Sequence, residues 1–153
     1  MKITDYLTPD LVIADLAVTA KDDSLVLMAR AVSGVFPEYS SETILTVLRE
    51  REALGSTGIG GGIAIPHGKL PDLDEIIVLF ARSREGVEFA AVDGQPVHLF
   101  FLLLAPENSA GIHLKTLAQI SRMLKNQAFC EALLNAADSA AIYTLIKEED
   151  EHG

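Results

Sequence analysis

The sequence predicts an α/β protein in which a sheet is covered by helices on both faces, and two observations lead there. Residues 76–80, Ile-Ile-Val-Leu-Phe, and residues 97–104, Val-His-Leu-Phe-Phe-Leu-Leu-Leu, are strand-length apolar runs broken only by His98. A strand with one wet face alternates polar and apolar side chains, whereas runs like these suit strands buried on both sides. Helical stripes at residues 25–36, 44–54 and 113–124 flank the runs and can supply the cover. At 153 residues with 49% hydrophobic composition, the chain can build one substantial core, so a single domain is expected.

Taken in order, residues 11–14 (Leu-Val-Ile-Ala) are a strand candidate after a turn-rich entry containing Pro9. Asp22, Asp23 and Ser24 then open a helix with Leu25, Met28, Ala29, Val32, Val35 and Phe36 on one stripe, ended near Pro37. A second helix opens at Ser40 or Ser41, carries Ile44, Val47 or Leu48, and Arg51 on its stripe, and stops at Leu54 and Gly55. Arg51 stands where an apolar residue is expected. Ile63, Ala64 and Ile65 form a short strand that presents His67 at its end, and residues 87–89 (Val-Glu-Phe) form another. Asp93-Gly94-Gln95-Pro96 is a turn by its chemistry, which suggests antiparallel pairing around it. Residues 106–109 break the chain before a helix faced by His113, Leu117, Ile120 and Leu124. Two shorter helices are expected around residues 129–134 and 140–146. The domain is placed at residues 1–147, and the charged residues 148–153 are expected to be a disordered acidic tail.

Composition narrows the function. The first residues lack a basic leader followed by an apolar stretch, and no apolar run approaches the ~18 residues of a membrane span. A cytoplasmic protein with no membrane insertion is expected. The lone cysteine, Cys130, can form neither an internal disulfide nor a cysteine metal cluster, which suits a reducing compartment. A formal charge of −10 argues against nucleic acid or an anionic membrane as partner, while leaving a basic protein face open.

The chemistry concentrates in residues 55–69, Gly-Ser-Thr-Gly-Ile-Gly-Gly-Gly-Ile-Ala-Ile-Pro-His-Gly-Lys, which place five of the eleven glycines ahead of His67. A Walker loop needs Lys and then Ser or Thr after its second glycine, where this chain has Gly61 and Gly62. The dinucleotide fingerprint needs a glycine or close substitute at position 63, which is Ile, and no helix pattern follows. A glycine-rich hairpin and a functional loop remain as readings. His67, His98 and His113 lack the short spacing of a zinc site, and no Gly-x-Ser-x-Gly elbow is present. Cys130, among Phe129, Leu133 and Leu134, reads as core. His113 and Arg51 have ordinary structural readings, a half-buried imidazole and a helix-end cation. The chemistry left is His67 as a nucleophile toward phosphorus, with Arg51, a second imidazole and loop N–H groups stabilising the phosphoryl group.

The runs Arg51-Glu52-Ala53-Leu54-Gly55-Ser56-Thr57-Gly58-Ile59-Gly60 and Gly62-Ile63-Ala64-Ile65-Pro66-His67-Gly68-Lys69-Leu70 closely resemble the active-site segment of the fructose/mannitol-type enzyme IIA domains of the bacterial phosphoenolpyruvate-dependent sugar phosphotransferase system. The likeness is strongest to the nitrogen-related regulatory IIA proteins and extends through the turn at residues 93–97 and the helix start at residues 113–117. The resemblance implies a single-domain α/β sandwich with a mixed β-sheet flanked by helices on both faces. It implies that His67 accepts phosphate from an HPr-like phosphocarrier, that Arg51 stabilises the anion, and that His113 stabilises the phosphoryl group. Thr57 and Gly68 are placed as binding residues in the loop around His67, with no cofactor or metal, and either imidazole nitrogen of His67 remains a candidate. A free-standing chain favours a nitrogen-related regulatory protein acting on target proteins. The alternatives are a sugar-transport IIA subunit passing phosphate to IIB, and a binding module without phosphotransfer.

Overall fold

The computed structural model describes residues 2–152. The strands are β1 (Val12–Ile13), β2 (Gly58–Gly60), β3 (Ile63–Ala64), β4 (His67–Leu70), β5 (Ile77–Val87) and β6 (Val97–Pro106). The helices are α1 (Lys21–Val35), α2 (Ser41–Ala53), α3 (Ala110–Leu124), α4 (Gln127–Asn135) and α5 (Ser139–His152). The strands form one mixed sheet in the order β1-β5-β6-β3-β2, with β4 also paired to β6. The two apolar runs become β5 and β6, antiparallel neighbours at the centre, with Phe80 opposite Phe101 and Val78 opposite Leu103. Of the strand expected at residues 87–89, Val87 is the end of β5, reached through a register shift after Arg82, and Glu88 forms an isolated parallel bridge with Ala20. Gly86, at φ +93°, turns the chain there, where a Cβ would lie 2.8 Å from the Pro96 ring.

Both faces of the central pair are buried, as the unbroken runs required. Leu79, Ala81, Phe100, Leu102 and Leu104 join one core with Leu25, Met28 and Val32 of α1 and Ile44 and Leu48 of α2. Val78, Phe80, Leu99, Phe101 and Leu103 join the other with Ile120 and Met123 of α3, Leu133 of α4, and Ile142 and Ile146 of α5. The strand period of two sorts alternate residues between the layers. Helix α2 begins as expected, with the Ser40 hydroxyl accepting the Thr43 N–H at 3.1 Å.

Arg82 is fully buried on the α3–α5 side of the sheet. Its Nε donates to the Ala14 carbonyl at 2.9 Å, and its Nη1 donates to Leu133 O at 2.8 Å and Ala136 O at 2.6 Å, satisfying carbonyls at the end of α4. Desolvation pushes its pKa down, and the neighbouring Arg84 charge adds to that.

The acidic tail departs from expectation. Residues 148–152 continue α5, while Gly153 lies outside the described residues. Asp150, only 4% exposed, turns inward and accepts from Ile3 N at 3.0 Å, Thr4 N at 2.7 Å and the Thr4 hydroxyl at 2.9 Å. Composition marked the segment as solvated; one carboxylate with three local donors docks it onto the N-terminal turn instead. Replacing Asp150 with Ala strands two backbone N–H groups, and a loss of about 2–4 kcal/mol is expected in urea unfolding. An unchanged midpoint would mean that the segment adds nothing to stability.

Candidate phosphoryl-transfer site

His67 is the first residue of β4, just past Pro66. β3 and β4 both run parallel to β6, with Ala64 opposite Phe100 and His67 opposite Leu103. Residues 63–70 thus follow a single path along β6 that is interrupted at Ile65 and Pro66. His67 therefore opens a strand rather than ending one. At the break the Ile65 carbonyl turns to the imidazole, 2.8 Å from Nδ1. A carbonyl can only accept, so Nδ1 carries the proton and Nε2 keeps its lone pair. The Nε–H of Arg51 donates to that nitrogen at 3.3 Å, which agrees with the tautomer.

Arg51 lies in the last turn of α2 and also donates from Nη1 to the Gly55 carbonyl at 2.9 Å. Its place on the apolar stripe is explained by the approach of α2 to β4. A Cβ on Gly68 would lie 2.4 Å from Val47 Cγ1, so only glycine permits this packing. Val47 and Arg51 are one helical turn apart, and the contact that seats Val47 on β4 also brings Arg51 to His67.

His113 comes from α3, across the sheet from α2. Its ring meets that of His67 edge to face, with centroids 5.5 Å apart and planes at 75°. Its Nε2 is buried and has no hydrogen-bonding partner. Burial, then the nearby His67 and Lys69, pushes its pKa below the ordinary value, favouring a neutral ring at neutral pH. The three predicted residues meet in one cleft of about 370 Å³, lined also by Val47, Glu50, Leu54, Gly68 and Lys69.

Thr57 lies elsewhere. It is 4% exposed, and Glu52 takes both its N–H, at 3.0 Å, and its hydroxyl. The loop amides are similarly engaged: Gly58 N donates to the Ser56 hydroxyl at 3.0 Å and Gly61 N to Asp93 Oδ2 at 3.0 Å. Gly60, Gly61 and Gly62 have φ of +98°, +65° and +79° and turn β2 into β3, so the glycine cluster is a hairpin whose Thr57, Gly58 and Gly61 amides are spoken for. The sequence reading missed Glu52. Its signal was an acidic side chain in the last turn of a helix, the end at which the helix dipole disfavours negative charge.

His98 is outside the cleft, with Nδ1 2.8 Å from Ser83 O. Cys130 packs with its thiol 3.3 Å from Leu124 O, and burial pushes its pKa up, consistent with a core role. Among the described residues no group of three or more His, Cys, Asp or Glu is placed to hold a metal ion, and no helix is long and apolar enough to cross a membrane.

A mixed sheet between helical layers, with two histidines and an arginine converging at one strand start, defines an α/β sandwich with a polar cleft at the sheet. The chain belongs to the phosphoenolpyruvate-dependent sugar phosphotransferase system EIIA 2 family, whose model matches residues 5–149. It is 42% identical over 146 residues, 95% of each chain, to a nitrogen regulatory protein of Bradyrhizobium diazoefficiens. It is 32% identical over 150 residues to the fructose-specific EIIABC component of Bacillus subtilis, covering 98% of this chain and 24% of that protein. The crystal structure of nitrogen regulatory protein IIA-Ntr from Neisseria meningitidis superposes with a TM-score of 0.88 at 31% identity, covering 94% of this chain and 98% of that one.

Two outcomes test the geometry. Gly68→Ala should push α2 from β4, lowering stability by about 1–3 kcal/mol, and Val47→Ala in the same chain should restore part of it; simple addition of the two losses in chemical denaturation would refute the contact. The depressed pKa of His113 means that the unfolded chain binds the proton more readily than the folded one. That stabilisation is fully present above the ordinary value of 6.5 and is lost as pH falls through it toward the lower folded pKa. His113→Gln should flatten the stability profile in that window, and parallel profiles for the two proteins would contradict the shift.

Proposed function

We propose that this protein is a phosphohistidine carrier that accepts phosphate on His67 Nε2 from an HPr-like phosphocarrier, as a nitrogen-related regulatory IIA protein. The observation that carries the reading is the tautomer: Nδ1–H is committed to Ile65 O, and the Nε2 lone pair points at Arg51 in an open cleft. The 42% identity to a nitrogen regulatory protein over nearly the full length of both chains supports the regulatory branch.

The transfer balances without a metal or an added base. His67 Nε2 attacks the phosphorus of a phosphohistidine donor whose other ring nitrogen is protonated. As the new N–P bond forms, the old one breaks, and its electron pair leaves with the donor, which departs as neutral imidazole. His67 keeps its Nδ1 proton and becomes a phosphoimidazolium ring, whose positive charge the Ile65 carbonyl meets. Arg51 compensates the phosphoryl oxygens, and the buried Nε2 of neutral His113, as an N–H, donates to one of them. Thr57 is enclosed by its bonds to Glu52, which leaves Gly68, a β4 residue that lines the cleft, as the other binding position of this reading.

The surroundings suit a protein partner. Leu54, 85% exposed, lines the cleft, and Leu114, 68% exposed, follows His113, so apolar side chains border the polar centre. Phosphorylation places a dianionic phosphoryl group, partly offset by the positive ring, between them, enough to change which protein face fits. The match to a fructose-specific component supports a second reading, a sugar-transport IIA that passes the phosphoryl group to IIB.

Incubation with phosphoenolpyruvate, enzyme I and an HPr-type carrier should place acid-labile phosphate on the wild type, with the ¹⁵N spectrum reporting it at Nε2, and none on His67→Ala. Arg51→Ala should slow transfer roughly 100-fold while the protein stays folded. Equal labelling of wild type and His67→Ala would refute the acceptor, and Nδ1 phosphate would refute the tautomer argument.

A further inference from the structure

We propose that Glu52 and Thr57 are positioning residues for this site: one buried carboxylate anchors both carbonyl acceptors that orient His67 and Arg51. The inference rests on the phosphoryl-accepting role proposed above and extends it to residues that do not touch the phosphoryl group.

The path to His67 is continuous. The Glu52 side chain, 6% exposed, accepts the Thr57 N–H at 3.0 Å and the Thr57 hydroxyl. The Thr57 carbonyl accepts the Ile65 N–H at 3.0 Å. The Ile65 carbonyl lies 2.8 Å from His67 Nδ1 and holds the tautomer that frees Nε2. The three hydrogen bonds run in sequence from Glu52 to the imidazole, so the position of Thr57 is transmitted to His67.

The path to Arg51 starts from the same carboxylate. Residues 54–56 span the gap between the end of α2 and Thr57, so the Glu52–Thr57 contact fixes the far end of the span. Gly55 lies within it at φ +146°, donates its N–H to Glu52 O at 3.1 Å, and offers its carbonyl to Arg51 Nη1 at 2.9 Å. The guanidinium is therefore held between Gly55 O and His67 Nε2, both set by the loop that Glu52 closes.

The placement of Glu52 has a cost that calls for a compensating role. It puts a carboxylate at the negative end of a helix and buries it. Lys21, 2.9 Å from Glu52 Oε1 and 4.6 Å above the Phe89 ring, offsets the charge from the start of α1. Lys21 alone does not account for the two further bonds to Thr57.

The test uses the full chain with ¹⁵N-labelled histidine and reads the His67 tautomer in the resting protein, before any phosphoryl donor is added. Thr57→Val keeps the size of the side chain and the backbone N–H but removes the hydroxyl. It should give a mixture of His67 tautomers and slow transfer about tenfold or more, since misplacement of about 1 Å is worth up to about 100-fold. Thr57→Ser should restore both. Glu52→Gln should resemble Thr57→Val, and combining it with Arg51→Ala should slow transfer little beyond Arg51→Ala alone, because both remove the same alignment. Glu52→Ala is avoided, as it leaves Lys21 and Thr57 without their partner and threatens the fold. A wild-type tautomer or a wild-type rate in folded Thr57→Val, or failure of Thr57→Ser to restore them, overturns the proposal. If the wild type takes no phosphate, the functional reading fails separately, and the tautomer measurement alone decides the clamp.

Discussion

Strand β6 is the constraint on which the rest depends. It pairs with β5 on one side and with β3 and β4 on the other, and its side chains divide between two cores. With both faces enclosed, its register has no freedom, because a one-residue slip would send every side chain to the wrong layer. β4 inherits this precision. A slip of one residue along β6 would turn His67 toward α2 and drive Gly68 away from Val47, dismantling the site while leaving the strand intact.

The site is built from pieces that meet nowhere else. Arg51 arrives on α2, which covers one face of the sheet, and His113 on α3, which covers the other, while His67 sits on the strand between them. Rigid elements therefore carry all three side chains, so their alignment does not depend on a loop. The glycines serve it indirectly. Three of them turn β2 into β3, and a fourth, Gly68, lets a helix close on a strand. In residues 57–61 the N–H groups of Thr57, Gly58 and Gly61 bind Glu52, Ser56 and Asp93, so these three amides are not offered to the cleft.

Much of this was legible in the chain. The continuous apolar runs at residues 76–80 and 97–104 declared a sheet buried on both faces because no exposed strand can tolerate them. The stripes of α1, α2 and α3 were visible because burial repeats with the helical period. Arg51 stood out as a charge on an apolar stripe, and His67 as the residue between a proline and a glycine. The errors share a cause. The tail at residues 148–152 was judged by composition, but Asp150 is decided by N–H groups at the opposite end of the chain. Thr57 was placed by its nearness to His67 in the motif, but its side chain is decided by the direction in which α2 ends.

By itself the sequence pointed to the family and the layered fold, and it named His67, Arg51 and His113 as candidates, which the structure brings into one cleft. These follow from periodicity and from a motif whose spacing is local. The tertiary structure alone decided which imidazole nitrogen is free, that the Gly58 and Gly61 amides bond to Ser56 and Asp93, and that Glu52 lies behind the site. Each of these depends on hydrogen-bond direction, and direction exists only once the acceptors are fixed in space by packing that links residues far apart in the chain.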